Sequence, residues 1–452
     1  MKRIAAFSCG ALLAAGLLAV SGGEIPALAA EKSVPAWPGW RGGPTAPGVS
    51  PEKGLPDTWS ATQNVAWKTP IPGRGHSSPV VWDKYIFLTT AIEGAEVPGA
   101  QVAVVKDFGE NARHPDSTDG TRNYDLKVLA IDRTNGKILW QHTAFSGVPY
   151  DFRHKGNTFA TPTPVTDGKN VYAYFGPEGL YAYDFKGKQL WKAEVGKFSS
   201  AGVGIGNSPV LYKDKIFLQI DYEDGKDSFI VAFDTKTGKQ AWRTPRKNGL
   251  TWVTPVIVET GARAELIAPA NERIIAYDPE TGKELWSTTG LANNAVPTPL
   301  QVPGMVLVYS GYPSRKILAI RTGGSGDVTS THVAWSADRY TAYVPSGIMY
   351  GDTAYFITPR GIMTALDPKT GTVKYSNGRV PVPATFTASP IGYDNKIVLL
   401  SEDGDAFVIK AGDKYEVMRT NSLGEPIYAT PAMAAGQLYI RSEKHLWAIG
   451  KK

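Results

Sequence analysis

The chain has 452 residues, a formal net charge of +6, 42% hydrophobic and 20% charged residues, and a single cysteine. So small an excess of charge, with no dominant run of Lys or Arg, argues against a nucleic-acid partner and leaves at most a general attraction to anionic surfaces. The lone cysteine, Cys9, excludes an internal disulfide and the commonest structural zinc sites, so stability has to come from packing and closure.

Residues 1–30 read as a secretory signal. Lys2 and Arg3 precede an apolar stretch from Ile4 to about Val20, and Ala27, Ala29 and Ala30 offer a cleavage site. Gly10, Gly16, Ser21 and Gly22 interrupt the stretch before it reaches the ~20 apolar residues of a spanning helix. Export to the periplasm or to the outside is therefore expected, with no transmembrane segment left after removal. Cys9 lies too far ahead of the cleavage site to serve as a lipid anchor. Residues 31–59 follow as an N-terminal extension, and 60–452 are expected to form one repeat domain.

A proline precedes a strand-like stretch at Pro79, Pro164, Pro209, Pro255, Pro299, Pro345, Pro390 and Pro431. From Pro164 onward the spacing is 41 to 46 residues, the period of a propeller blade or solenoid unit. The first step is longer and places an insertion mainly between Ala91 and Tyr124. Unit three shows the four-strand pattern clearly: Ser208–Tyr212, Ile216–Ile220, Phe229–Phe233 and Lys239–Arg243, separated by turns rich in Asp, Gly and Lys. No stretch of the mature chain has a convincing 3.6-residue period, so helix should be scarce.

Each unit ends on A-x-D-x-x-x-G-K-x-x-W, complete at Ala130–Trp140, Ala232–Trp242 and Ala276–Trp286. Asp bonds its own turn, Gly accepts a positive φ, and the terminal Trp can lie on the neighbouring blade. Ala182–Trp191 is one residue short, Ala319–Trp335 has an expanded turn, Ala365–Tyr375 substitutes Tyr, and Val408–Met418 is degenerate. The eighth unit ends at Lys452 without a fourth strand, while Asn64–Lys68, with Trp67, stands unpaired before the first unit. The expected fold is all-β: an eight-bladed β-propeller of four-stranded antiparallel blades, closed by the N-terminal strand joining the last blade, which removes open sheet edges.

These motifs resemble the tryptophan-docking repeats of quinoprotein alcohol dehydrogenases and of the BamB propeller lipoproteins, over nearly all of residues 60–452. Trp40-Arg41-Gly42, Gly75–Pro79 and Tyr172–Asp184 also look like the exported propellers called PQQ-binding-like. The resemblance to the dehydrogenases implies pyrroloquinoline quinone held with calcium at the propeller centre, against a disulfide between adjacent cysteines. That disulfide cannot form here, and no Glu/Asn/Asp calcium set is matched residue by residue. The resemblance to BamB implies a binding protein of the cell envelope.

Chain order puts the first hairpins and the D-x-x-x-G-K turns of all units on one face, which we call the turn face. The loops between second and third strands and the segments leading into each blade share the opposite, loop face, where length varies most and sites usually lie. Candidate ligand or partner residues there are Arg74, His76, Arg153, His154, Asn157, Asn207, Asp221, Trp252, Arg360 and Tyr428. The Ser and Thr residues before the repeat prolines are expected to satisfy backbone groups. Asp221–Asp227 lacks the ligand spacing of a calcium loop and reads as a solvated turn, and no metal site is expected. There is no G-x-S-x-G elbow, P-loop or H-E-x-x-H motif. The expected function is a non-enzymatic, monomeric binding scaffold with a protein or glycan partner. The alternatives are a quinone-dependent oxidoreductase, with Trp252 stacking on the ligand and Arg153 pairing its carboxylates, or a carbohydrate-active propeller using His76, His154 and Arg153.

Overall fold

After each repeat proline, a short strand runs to a tight turn, of two residues in six of the blades, and returns as an antiparallel hairpin, as strand propensity and the Asp/Gly/Lys turns direct. In the computed structural model of the chain, which describes residues 34–100, 114–118, 120–222, 225–271 and 273–451, this happens eight times. Blades 1 to 7 occupy residues 80–147, 165–193, 210–245, 256–288, 300–337, 348–379 and 391–422, each a four-stranded antiparallel sheet ordered from the axis outward. Blade 8 takes Ala432–Ala434, Gln437–Arg441 and His445–Ile449 from the C-terminus, and its outer strand, Val65–Pro70, from the N-terminal side. Trp67 lies opposite Ala448 and Pro70 opposite His445, so the ring closes as expected. Among the described residues, helix is confined to two three-residue 3-10 turns, Trp40–Gly42 and Gly176–Glu178.

The apolar core is divided between neighbouring blades. Phe87 and Val128 of blade 1, for example, pack with Val171 and Tyr181 of blade 2. At the rim the terminal tryptophans act as drawn from the motif. The indole N–H of Trp67 donates to Arg133 O (2.9 Å), that of Trp140 to Phe185 O (2.9 Å), of Trp191 to Thr235 O (3.0 Å), of Trp242 to Pro279 O (3.1 Å) and of Trp335 to Pro368 O (3.0 Å). Each acceptor lies in the turn of the next blade, and the ring covers that turn's glycine. A Cβ on Gly282 would come within 2.4 Å of Trp242, and the residue's φ is +72°, so both space and backbone require glycine there.

Two expectations need correction. Trp286 does not dock on blade 5: it is fully buried and donates to Glu265 Oε2 at 2.9 Å. The expanded turn of blade 5 folds back as Gly326–Asp327 beside Trp286–Ser287 and takes the place of a docking surface. The insertion in blade 1 is also shorter than read, because the strands Tyr85–Glu96 and Arg122–Asp132 run on as a ladder as far as Glu96 opposite Arg122.

The hydroxyls before the prolines form a belt around the channel. The amides of Ser78, Thr163 and Ser208 donate to Thr163, Ser208 and Thr254 hydroxyls, and those of Thr298, Ser346 and Ser389 to Ser346, Ser389 and Thr430, all at 2.9 to 3.0 Å. Each bond ties one blade to the next at the point where the inner strands converge.

The N-terminal extension is built into the turn-face end of the channel. Ala36–Trp37 adds a strand to the inner strand of blade 1, and Pro38 O accepts from Thr166 N of blade 2. The chain then crosses the axis: Trp40 Nε1 donates to Thr298 of blade 5 and Arg41 Nη2 to Pro390 O of blade 7. It returns to blade 4, where Pro44 O accepts from Ile257 N, and runs on past Gly392 of blade 7 to blade 8, where Glu52 accepts from the amides of Ala435 and Gly436.

Candidate functional site

On the loop face, the segment leading into blade 1 carries Arg74 and His76 beside the end of blade 8. His76 stacks on Tyr428 with ring centroids 4.6 Å apart, and Arg74 pairs with Glu443 at 3.2 Å. Beneath them Arg441 is fully buried, donating through Nη1 to Ser77 Oγ (2.6 Å), Thr89 O (2.8 Å) and Ser77 O (3.2 Å). Together these residues line a small pit of about 10 Å³. Burial, reinforced by the charges of Arg441, Arg74 and Arg153, lowers the His76 pKa to about 3, so its ring is neutral at working pH. Burial likewise pulls Arg441 down to about 9. A neutral histidine among three arginines suits an anionic group better than proton transfer, which works best with a pKa near the operating pH.

The other candidates are drawn elsewhere. Arg153 donates to Asn157 O at 2.8 Å and lies near enough to Arg74 to be depressed by it, after the larger effect of its own burial. His154 turns to Asp116, with Nε2 3.4 Å from Oδ2, and accepts the Gly156 amide through Nδ1. Lys155 sits 2.7 Å from the same carboxylate and holds Asp116 below its ordinary pKa. His76 and His154 thus belong to different clusters. Asn157 bonds the backbone of Val203 and Ile205, and Asn207 bonds Gln219 O at 2.6 Å. Trp252 donates to Gly204 O at 2.9 Å, while Arg360 is exposed on its loop in blade 6. Asp221 departs from the solvated turn expected of it: it is buried, 3.1 Å from Arg246 Nε, and also accepts from Gln219 and Thr251. A carboxylate at the start of that loop finds a guanidinium just past the outer strand of the same blade, and desolvation still raises its pKa.

The axis is where the sequence resemblance would put a quinone and calcium. The residues there do not fit that pair. The extension crosses it, and Arg41 is completely buried with Nε and Nη1 lacking any acceptor. A Cβ on Gly48 would meet its Nη2 at 2.5 Å, a measure of how closely the guanidinium is enclosed. Calcium takes six to eight oxygens, usually including carboxylates, and among the described residues no three His, Cys, Asp or Glu side chains are grouped to hold a metal.

Residue-by-residue reading missed Arg441 and Glu443, which complete the pit. Their signal was a charged residue ending the apolar run Leu438–Ile440. It also missed the pair of buried carboxyls between blades 2 and 3. Glu178 accepts the Tyr150 amide at 2.7 Å, and burial raises its pKa to about 7. Asp151 accepts from the Ser200 amide and hydroxyl and is raised for the same reason.

Comparison with known proteins agrees with this architecture. A curated quinone alcohol dehydrogenase, dehydrogenase subunit, of Komagataeibacter europaeus is 31% identical over 134 residues, which are 27% of this chain and 17% of that protein, so the chain spans less than a fifth of that relative. Among solved structures, BamB from Moraxella catarrhalis matches 80% of this chain and 98% of its own at 16% identity and a TM-score of 0.55. The quinohemoprotein alcohol dehydrogenase of Comamonas testosteroni matches 92% of this chain and 81% of its own at 12% identity and a TM-score of 0.62. At such identities the likeness is one of fold. The profile of a propeller family described as outer membrane protein assembly factor BamB matches residues 125–377, more than half of the chain, and to that family the protein belongs.

Proposed function

We propose that this protein is an exported, non-enzymatic binding scaffold of the cell envelope that holds a protein or glycan partner on its loop face. The observation that carries the reading is the channel: the chain's own extension fills the axis, leaving the variable loops as the open chemistry of a rigid ring. On that face Arg74 and the exposed Arg360 can meet an anionic partner, and His76, held neutral, contributes a stacking surface rather than a proton. Export rests on the leader-like residues 1–30. The test is cross-linking of the tagged protein in the native envelope, beside an Arg74→Ala/Arg360→Ala variant. A partner recovered with the parent and at least tenfold less with the variant is the expected result; equal recovery would refute the loop-face assignment.

The dehydrogenase relatives favour a second reading, a quinone-dependent oxidoreductase. Titration with pyrroloquinoline quinone and calcium separates the two. A saturable shift of the quinone spectrum together with dye-linked alcohol oxidation would overturn the scaffold proposal.

A further inference from the structure

The extension's path leaves the inner strand of blade 3 uncovered beside an open cavity. At the second residue after the repeat proline, the inner strand turns its N–H toward the axis. In blades 2, 4 and 7 the amides of Thr166, Ile257 and Gly392 donate to Pro38, Pro44 and Gly48 carbonyls, and in blade 1 Val81 pairs with Trp37. Leu211 holds the same position in blade 3, opposite Ile216 just as Ile257 lies opposite Leu266 and Gly392 opposite Ile397. Among the described residues no part of the extension bonds to it, because the chain leaves blade 2 at Pro38, crosses the axis, and comes back at blade 4.

What lies over Leu211 is space. A cavity of about 290 Å³ opens on the turn face between the two arms of the extension, walled by Pro38, Trp40 and Pro44 on one side and by Trp82, Val165 and Pro209 to Tyr212 on the other. The wall's main-chain carbonyls at Pro38 and Pro44 are already engaged, and Trp40 Nε1 is held by Thr298. Of the polar side chains at the wall, Asp167 is bonded to the Lys169 and Asn170 amides, Lys213 pairs with Glu280 and Thr254 accepts the Ser208 amide; the rest of the wall is mostly apolar and aromatic, and the edge of the inner strand adds a main-chain donor.

We propose that this cavity is a peptide-binding site: a short extended segment of another protein adds to the inner strand at Leu211 and places one large apolar side chain between Trp40 and Trp82. The chain's own extension uses the same chemistry at four other blades, which is why the occupant is a peptide rather than a free aromatic molecule. A ladder bond gives such a segment its register, and the indole walls give it preference for an apolar residue. The site is on the face opposite the proposed scaffold surface, so either can fail without the other.

The probe is a fluorescein-labelled, end-capped peptide Val-Val-Trp-Val-Val, followed by anisotropy against the full-length protein. Two controls isolate the ladder: the same peptide N-methylated at its central amides, and the variant Leu211→Pro, which removes the outward N–H from a strand edge where proline is tolerated. Saturable binding that weakens at least tenfold with either control is expected. No binding up to millimolar peptide, or equal binding of the N-methylated peptide, would overturn the proposal. The N-methylated peptide gives that answer on the parent protein even if the variant does not fold.

Discussion

Trp67→Ala tests the closure of the ring, the feature on which every other distance depends. Trp67 is half-buried; it covers Gly136, lies 6.1 Å from Tyr439, and donates to Arg133 O at 2.9 Å. Full truncation of a buried aromatic costs roughly 3–5 kcal/mol, and partial exposure reduces that. Including the lost hydrogen bond, at about 1 kcal/mol, the expected cost is about 2–3 kcal/mol. Unfolding entropy of about 2.1 cal/mol/K per residue, over the roughly 420 residues of the compact unit Pro35–Lys452, converts this to a fall of about 2–4 °C in the thermal midpoint. Calorimetry reads the shift, with Trp335→Ala as a matched change in a blade made of continuous chain. Hydrogen exchange gives the location: amides of His445–Ile449, which pair with Val65–Pro70, should lose protection while those of blade 3 keep theirs. A variant that melts with the parent and protects blade 8 unchanged would refute the closure argument.

Gly282→Ala should destabilise by roughly 2–4 kcal/mol, since its Cβ meets Trp242 and its φ is positive. Gly304→Ala has a similar φ of +75° and nothing within 4 Å, so denaturant melts should show about 1 kcal/mol there; equal losses at both sites would remove the docking explanation. Glu178 binds its proton more tightly folded, with a pKa of about 7, than its ordinary value of 4.5. Its contribution is therefore complete below about pH 4.5 and is lost as pH rises through 7, roughly 3 kcal/mol in all. Melting curves across that window should flatten in Glu178→Gln, and an unchanged slope would show that Glu178 does not set it.

The repeat prolines, the D-x-x-x-G turns and the terminal tryptophans made the propeller, the blade count and the closure legible, because each acts within one unit or on its neighbour at a constant spacing. The same local logic placed the hydroxyl belt. It failed at Trp286, where the motif is complete but the docking surface belongs to the next blade's expanded turn, 40 residues on. The site was legible only in part. Arg74, His76 and Tyr428 were named, yet their meeting depends on residues from opposite ends of the chain lying side by side once blade 8 joins blade 1. Asp221 carried no sign of Arg246, nor Trp40-Arg41-Gly42 any sign that it would cross the axis. Periodic hydrophobicity and turn chemistry, which are properties of neighbouring residues, determined the repeat by themselves. Only the closed ring decided what occupies the channel, which cations gather on the loop face and which strand edges stay open, because those contacts join segments whose distance in sequence says nothing of their distance in space.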